Sequence, residues 1–247
     1  MSIAVPTSET DSEGTVTAPD ATANAHAFLR DEILTGRLEP GSIVNQVHVA
    51  RQLEISRGPL REALRLLENE GLVVSEQNRR SRVAPLTAAD AEELYCLRSV
   101  TEALAIRISV PLLTPGDIDS MREAFDAMNR AESAGDVPGW QEAHRRFHST
   151  SIVRSRGRVN KLAEELREHA ARYVQLYYGV LTNRGPNDHA KREHEEILEA
   201  CTLHDGDSAA AVLTKHLGHT GLGVLTYIDP LYEPIALRSV LRHALAS

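Results

Sequence analysis

Two cysteines in 247 residues, Cys96 and Cys201, are too few and too far apart to frame a disulfide-stapled fold. Both sit among apolar residues, which suits reduced thiols inside a cell. No uninterrupted apolar run nears the ~20 residues that a membrane-spanning helix needs. The acidic, polar N-terminus lacks the apolar core of a secretory signal. A soluble, cytoplasmic protein is expected. Positive charge is scarce as well, and the net charge of −8 argues against a diffuse polyanion-binding surface. Catalytic signatures are also missing. No GxGxxG, phosphate loop or serine elbow stands in a fitting context, and HRRFH at 144–148 lacks the glutamate of HExxH. Nor is there the Glu-x-x-His pair of di-iron bundles. An enzyme, a metal hydrolase included, is not expected.

What is present is the balance of an ordinary globular chain, 42% hydrophobic and 25% charged, with length for one large domain or two modest ones. Charge is unevenly spread. Residues 1–23 carry four acids and no Lys or Arg, whereas residues 24–86 carry nine arginines against eight acids. The least acidic stretch is therefore purely arginine-based. Arginine suits planar, bidentate contacts with phosphate and guanine, so a small, directed nucleic-acid surface remains open there.

Residues 1–22 lack hydrophobic periodicity and read as a disordered tail. A helix follows over about 23–35, with Phe28, Leu29 and Ile33 inward and Gly36 stopping it. Pro40-Gly41 marks a turn. Asn45 can cap the short helix QVHVARQL, and RGPLREALRLLENEG reads as a longer one, with Leu60, Leu64 and Leu67 at helical spacing. LVV and RVAPL, separated by SEQNRRS, form a small hairpin. From Thr87 onward every strong signal is helical. The first such helix, to about Val110, has Leu94, Leu97, Thr101, Leu104 and Ile108 along one face. Further helices are predicted over 115–133, 138–155, 158–182, 187–204 and 207–228, with LRSVLRHAL a seventh. The predicted fold is mainly α: an N-terminal winged helix-turn-helix, then an antiparallel bundle of six to seven helices.

A helix opening on Ser56, Arg57 and Arg61 can enter a major groove by its N-terminus, where backbone N–H groups and the dipole face phosphates. Glu62 and Arg65 lie beside them in sequence, and Gln77, Asn78 and Arg79 would occupy the wing tip. The same pattern also fits a small helical domain with a few exposed arginines.

The histidines form the second constellation. His144 and His148 share a face with Trp140, Phe147 and Ile152. His194 precedes Ile197, Leu198 and Cys201 on an apolar face, and His216 shares one with Ala209, Val212, Leu213 and Leu217. Four inward imidazoles on three helices would be costly to bury unpaired, and one divalent metal would satisfy them together. Core histidines bonded to neighbours are the alternative, and His169, beside Leu162, Leu166 and Tyr173, fits it. His26, His48, His189, His204 and His243 read as solvated.

The stretch LRDEILTGRLEPGSIVNQVHVARQLEISRGPLREALRLLENEGLVV, continued by NRRSRVAPLT, closely resembles the DNA-binding domain of GntR-family bacterial transcription factors. LTAADAEELYCLRSVTEALAIRIS resembles the start of the FCD ligand-binding domain of the FadR branch. The resemblance runs from about residue 25 to 228. It implies a winged helix-turn-helix domain over 23–86, an effector-binding domain over 87–230 and a tail over 231–247. By position, Ser56, Arg57, Gly58 and Arg61 fall where the family touches bases and phosphates, and Gln77 and Asn78 fall at the wing tip. Val47 stands where some members carry a contacting arginine.

Metal-binding FCD domains use Asp-x-x-x-His and then one histidine on each of two later helices. His148, His194 and His216 match that set, and His144 stands in place of the aspartate. An all-histidine set favours borderline ions, with zinc or nickel expected and copper also suited. Arg98 falls at the effector-binding arginine, although an i,i+4 ion pair with Glu102 fits it equally. The implied protein is a homodimeric regulator, repressor in type, that binds a palindromic double-stranded DNA operator and responds to a small carboxylate effector. Relatives that bind acyl-type ligands without metal leave a metal-free pocket open.

Overall fold

The computed structural model describes residues 18–76, 80–181 and 188–244. The chain forms two compact units, Met1–Ala84 and Pro85–Ser247.

The first unit holds α1 (Ala18–Leu34), α2 (Gln46–Gln52), α3 (Arg57–Asn69) and an antiparallel hairpin, β1 (Val73–Glu76) and β2 (Arg80–Val83). Helix α1 starts five residues before the predicted position. Its early face is made of alanines, Ala21 and Ala25, which pack closely but register weakly in a hydrophobic pattern. The expected disordered tail is thus helical from Ala18, and residues 1–17 lie outside the described residues. Ala25, Leu29 and Ile33 of α1 close with Leu60, Leu64 and Leu67 of α3, and with Leu72, Val73 and Val83, into one core. Removing any of these leucines is expected to cost about 2–5 kcal/mol. His26, expected to be solvated, instead meets Glu70 at 2.5 Å, and Arg30 reaches the same carboxylate at 3.1 Å, tying α1 to the end of α3.

Asn45 caps α2 by accepting from the His48 amide at 3.0 Å. The α2–α3 turn then needs a left-handed residue, and Glu54 supplies it at φ 53°. A side chain there costs about 1–2 kcal/mol, against about 0.5–1 kcal/mol for the extra freedom of glycine in the unfolded chain. Glu54→Gly is therefore expected to raise the denaturation midpoint slightly. A lowered midpoint would show that the Glu54 side chain makes a contact worth more than the strain. In the hairpin Val73 faces Val83 and Glu76 faces Arg80. The tip residues Gln77, Asn78 and Arg79, the expected wing contacts, lie outside the described residues.

The second unit holds seven helices among the described residues. They are α4 (Ala88–Ser109), α5 (Pro115–Ala134), α6 (Val137–Ile152), α7 (Gly157–Leu181), α8 (Asp188–Thr202), α9 (Gly206–Ile228) and α10 (Ile235–Ala244), with a 3₁₀ turn Val110–Leu112. Side chains at the helix starts fix their boundaries. Thr87 accepts from the Asp90 amide, Thr114 and Asp117 form a reciprocal capping box, and Asp136 and Asp205 accept from Gly139 and Ser208. Helix α4 is central, packed on α9, α7 and α10. Its approach to α9 depends on glycine: a Cβ at Gly221 would stand 2.8 Å from the Tyr95 ring, and one at Gly206 2.6 Å from the Arg107 carbonyl. Glu92 of α4 accepts from the Leu237 amide at 3.0 Å and from the Tyr232 hydroxyl at 2.7 Å, anchoring the first turn of α10.

Two predicted faces are rotated. Along α4 the inward residues are Ala91, Tyr95, Arg98, Glu102 and Ala105, while Leu97, Leu104 and Ile108 are exposed. Along α7 the interior takes Ala163, Arg167, Ala170 and Tyr173, and Leu162 is exposed. His169 is half-buried. Among the described residues no helix is long and apolar enough to cross a membrane.

Candidate functional site

In the first unit, α3 buries Leu60, Ala63, Leu64 and Leu67, so the opposite side of its first turns is left to solvent. Ser56, Arg57, Gly58 and Arg61 are all exposed there. Ser56 is the N-cap residue, yet its side chain makes no capping hydrogen bond. The first turn holds no acid. Arg57 and Arg61 enter no ion pair among the described residues, whereas Arg65 is held by Glu62 at 2.6 Å. Two unpaired cations at the positive end of a helix dipole are locally unfavourable, and a polyanion placed there would reverse the sign. Gly58 adds a steric point. Its Cβ would meet nothing closer than the Ser56 hydroxyl at 3.9 Å, so the protein's own packing does not require glycine. Val47 is exposed on α2.

In the second unit, α6 brings His144 and His148, α8 brings His194 and α9 brings His216 to one point. One ring nitrogen from each lies within 4.8 Å of the other three. His148, His194 and His216 are buried, and His144 is partly buried, stacked on Trp140 at 4.6 Å between ring centroids. Burial, then the neighbouring His194 and His216, hold His144 well below the usual imidazole range. Burial and the surrounding imidazoles do the same to His148, and burial and His216 to His194. These three rings are neutral at pH 7, the form that ligates metal.

Two of the outer nitrogens are engaged. His216 Nδ1 donates to Glu193 at 3.0 Å, and His194 hydrogen-bonds the Ala190 backbone. Such bonds fix the tautomer and turn the other nitrogen inward. There His148 Nε2 and His194 Nε2 face each other at 3.2 Å. The donor set fits a borderline divalent ion. Burial alone would raise the Glu193 carboxyl, but hydrogen bonds and charge from His216 and His219 hold it down at about 2.

Arg98, His144, His194, His216, Trp140 and Lys191 line one cavity of about 70 Å³, several times the space that one water requires. Arg98 Nε bonds Glu102 at 2.6 Å, and Arg167 Nε reaches the other oxygen of Glu102 at 3.3 Å. The ion-pair expectation for Arg98 is met, and the same side chain borders the cavity. Glu102 is buried; desolvation opposes its ionisation, yet Arg98 and Arg167 keep its carboxyl below the ordinary range.

Sequence reasoning missed Arg167, Glu193 and His219. Arg167 and Glu193 are charged residues on inner faces, which a search for apolar stripes discards. His219 sits three residues after His216 and was open to discovery by helical spacing.

A helix-turn-helix with a hairpin behind it and two exposed arginines on its second helix, outside any ion pair among the described residues, defines a DNA-binding protein of the winged-helix class. Comparison with known proteins gives the family. Residues 21–83 match the bacterial regulatory proteins of the gntR family and residues 93–219 match the FCD domain, so the chain belongs to the GntR family with an FCD domain. It is similar to the Nta operon transcriptional regulator of Aminobacter aminovorans, 37% identical over 72% of this chain and 82% of that one. It is also similar to the transcriptional repressor GlaR of Escherichia coli, 25% identical over 78% and 91%. Among solved structures E. coli McbR/YncC shares the fold, with TM-score 0.71 and 20% identity over 84% and 97% of the two chains. The protein is a transcriptional regulator and not an enzyme.

Proposed function

We propose that this regulator is a homodimeric repressor that binds a palindromic DNA operator through α3. Its affinity for the operator is controlled by a small carboxylate held beside a divalent metal in the helical unit. The observation that carries the reading is the convergence of four imidazoles, three of them kept neutral, at one point, with His144, His194 and His216 of that group lining a cavity that Arg98 also lines. His144, His148, His194 and His216 would hold the ion, and a bound ion would attract a carboxylate electrostatically. Arg98 supplies a guanidinium for the same ligand, and the neutral rings leave the ion's charge undiminished. A cavity of this size suits a ligand of few heavy atoms better than an acyl chain. For control to follow, the ligand must bind one arrangement of the dimer more tightly than another.

Metal analysis of tag-free protein is the test. Near one equivalent of zinc or nickel per chain at the inner site is expected. Small chelating carboxylates should then raise the melting temperature of the metal-loaded form but not of the stripped form. Protein that takes up no ion when zinc and nickel are offered would sink the reading.

Dimerisation is supported by the outer face of α4, where Leu97, Val100, Leu104 and Ile108 are 39–62% exposed in a line at helical spacing. An apolar stripe of this kind matches a copy of itself across a two-fold axis. Leu97→Glu with Leu104→Glu is expected to halve the sedimentation mass and weaken operator binding. An unchanged mass would place the dimer contact elsewhere.

A further inference from the structure

Beside the inner cluster stands a second group of ligating side chains, on the outer side of Glu193. His189 and Glu193 are one turn apart on α8, and His219 is one turn beyond His216 on α9. His189 Nε2, His219 Nδ1 and Glu193 Oε1 form a small triangle. The two nitrogens are 2.9 Å apart, and they lie 3.2 and 2.5 Å from the carboxylate oxygen. Glu193 is buried, whereas the two imidazoles are about half exposed.

Protons satisfy such a triangle poorly. Only a nitrogen that bears hydrogen can donate, each has one carboxylate oxygen and one ring nitrogen before it, and two N–H groups pointed at each other repel. A cation at the centre is met by a lone pair from every corner. We infer that His189, Glu193 and His219 form a second divalent-metal site, open to solvent and separate from the four-histidine centre.

Two imidazoles and one carboxylate are the donors of a borderline ion such as zinc, nickel or cobalt, with the remaining positions left to water. With three ligands, two of them exposed, this site binds more weakly than the inner one. The two are linked through a single side chain, because the other oxygen of Glu193 accepts from His216 Nδ1. An ion on Oε1 draws charge away from the carboxylate that orients His216. Glu193 is thus a ligand for the outer site and an orienting partner for the inner one. The outer site does not require the inner one to be filled.

The test is a cobalt(II) titration of tag-free, full-length protein, followed by d–d absorption and by bound metal after gel filtration. The parent should take up two equivalents, the second more weakly. His189→Ala and His219→Ala, both at exposed positions, should each abolish the second step and keep the first. His148→Ala with His194→Ala should abolish the tight step and keep the weak one. Glu193→Gln should weaken both, the outer by more than tenfold. A second equivalent that survives in the His189→Ala, His219→Ala double variant would overturn the inference, as would a parent that saturates at one tight equivalent with no weaker step. A parent that shows only the weak step, abolished in His189→Ala, would instead count against the inner site, so the two failures are told apart.

Discussion

Alanine at His148 or at His194 is expected to abolish tight metal binding and to lower the melting temperature of the metal-loaded protein. Both rings are buried, and each contributes a nitrogen to the point of closest approach. A ligand that binds only the folded state contributes about 2.7 kcal/mol at a hundred times its Kd. For a chain of this size that corresponds to a melting shift of roughly 5–10 °C. The stripped variants should lose far less. A variant that keeps stoichiometric tight metal would remove that histidine from the ligand set.

The same burial makes the stripped protein sensitive to acid. His144, His148 and His194 are neutral when folded, because burial holds them well below the ordinary value, but they protonate once unfolded below about pH 6.5. The unfolded chain then binds more protons, so stability falls as pH drops. Their contribution is fully present above about pH 6.5 and is lost downward toward the folded pKa. The slope reaches about 1.4 kcal/mol per pH unit for each fully buried ring. Metal-free protein should melt at a steady temperature between pH 8 and 7 and at a falling one from pH 6.5 to 5. His148→Ala with His194→Ala should flatten that slope, and an equally steep slope in the double variant would place the titrating groups elsewhere.

Arg57→Ala and Arg61→Ala are expected to weaken operator binding about 10- to 100-fold each, corresponding to ~1–3 kcal/mol for a lost base contact. A lost phosphate contact would instead weaken all sequences alike and lower the salt slope by about one. Neither change should reduce stability, since both side chains are exposed and relieve charge at the positive end of α3 when removed. Gly58→Ala sharpens the distinction. The fold has room for the methyl group, so weaker DNA binding at unchanged stability would mean that the helix backbone approaches the nucleic acid at this point. Wild-type affinity and specificity in both arginine variants would remove α3 as the reading helix.

The first unit was largely legible because its signals are local. Asn45, Pro40-Gly41 and the leucines of α3 each act within a turn of their own position, and the predicted hairpin follows them. In the second unit the caps at Thr87 and Thr114 were legible for the same reason. The faces of α4 and α7 were not. Periodicity assigns leucine inward, but here the interior accommodates Arg98 and Arg167, which share the Glu102 carboxylate at close range, together with alanines that permit close helix approach. The Arg98–Glu102 pair lies within α4, but Arg167 reaches Glu102 from α7, and a single helix does not display that tertiary contact. The inward placement of His144, His148, His194 and His216 was readable from helical spacing. Glu193 was not, because its role depends on α9 lying alongside α8.

Trp140 is the chain's single tryptophan, and it stacks on His144 at the edge of the cavity. Emission from this protein therefore arises beside the inner histidines and carries no background from any other indole. A paramagnetic ion such as nickel or copper entering that centre would quench it, and a ligand displacing water from the cavity wall would shift its colour. The regulator thus carries its own optical probe, and occupancy can be followed without a label while DNA is present.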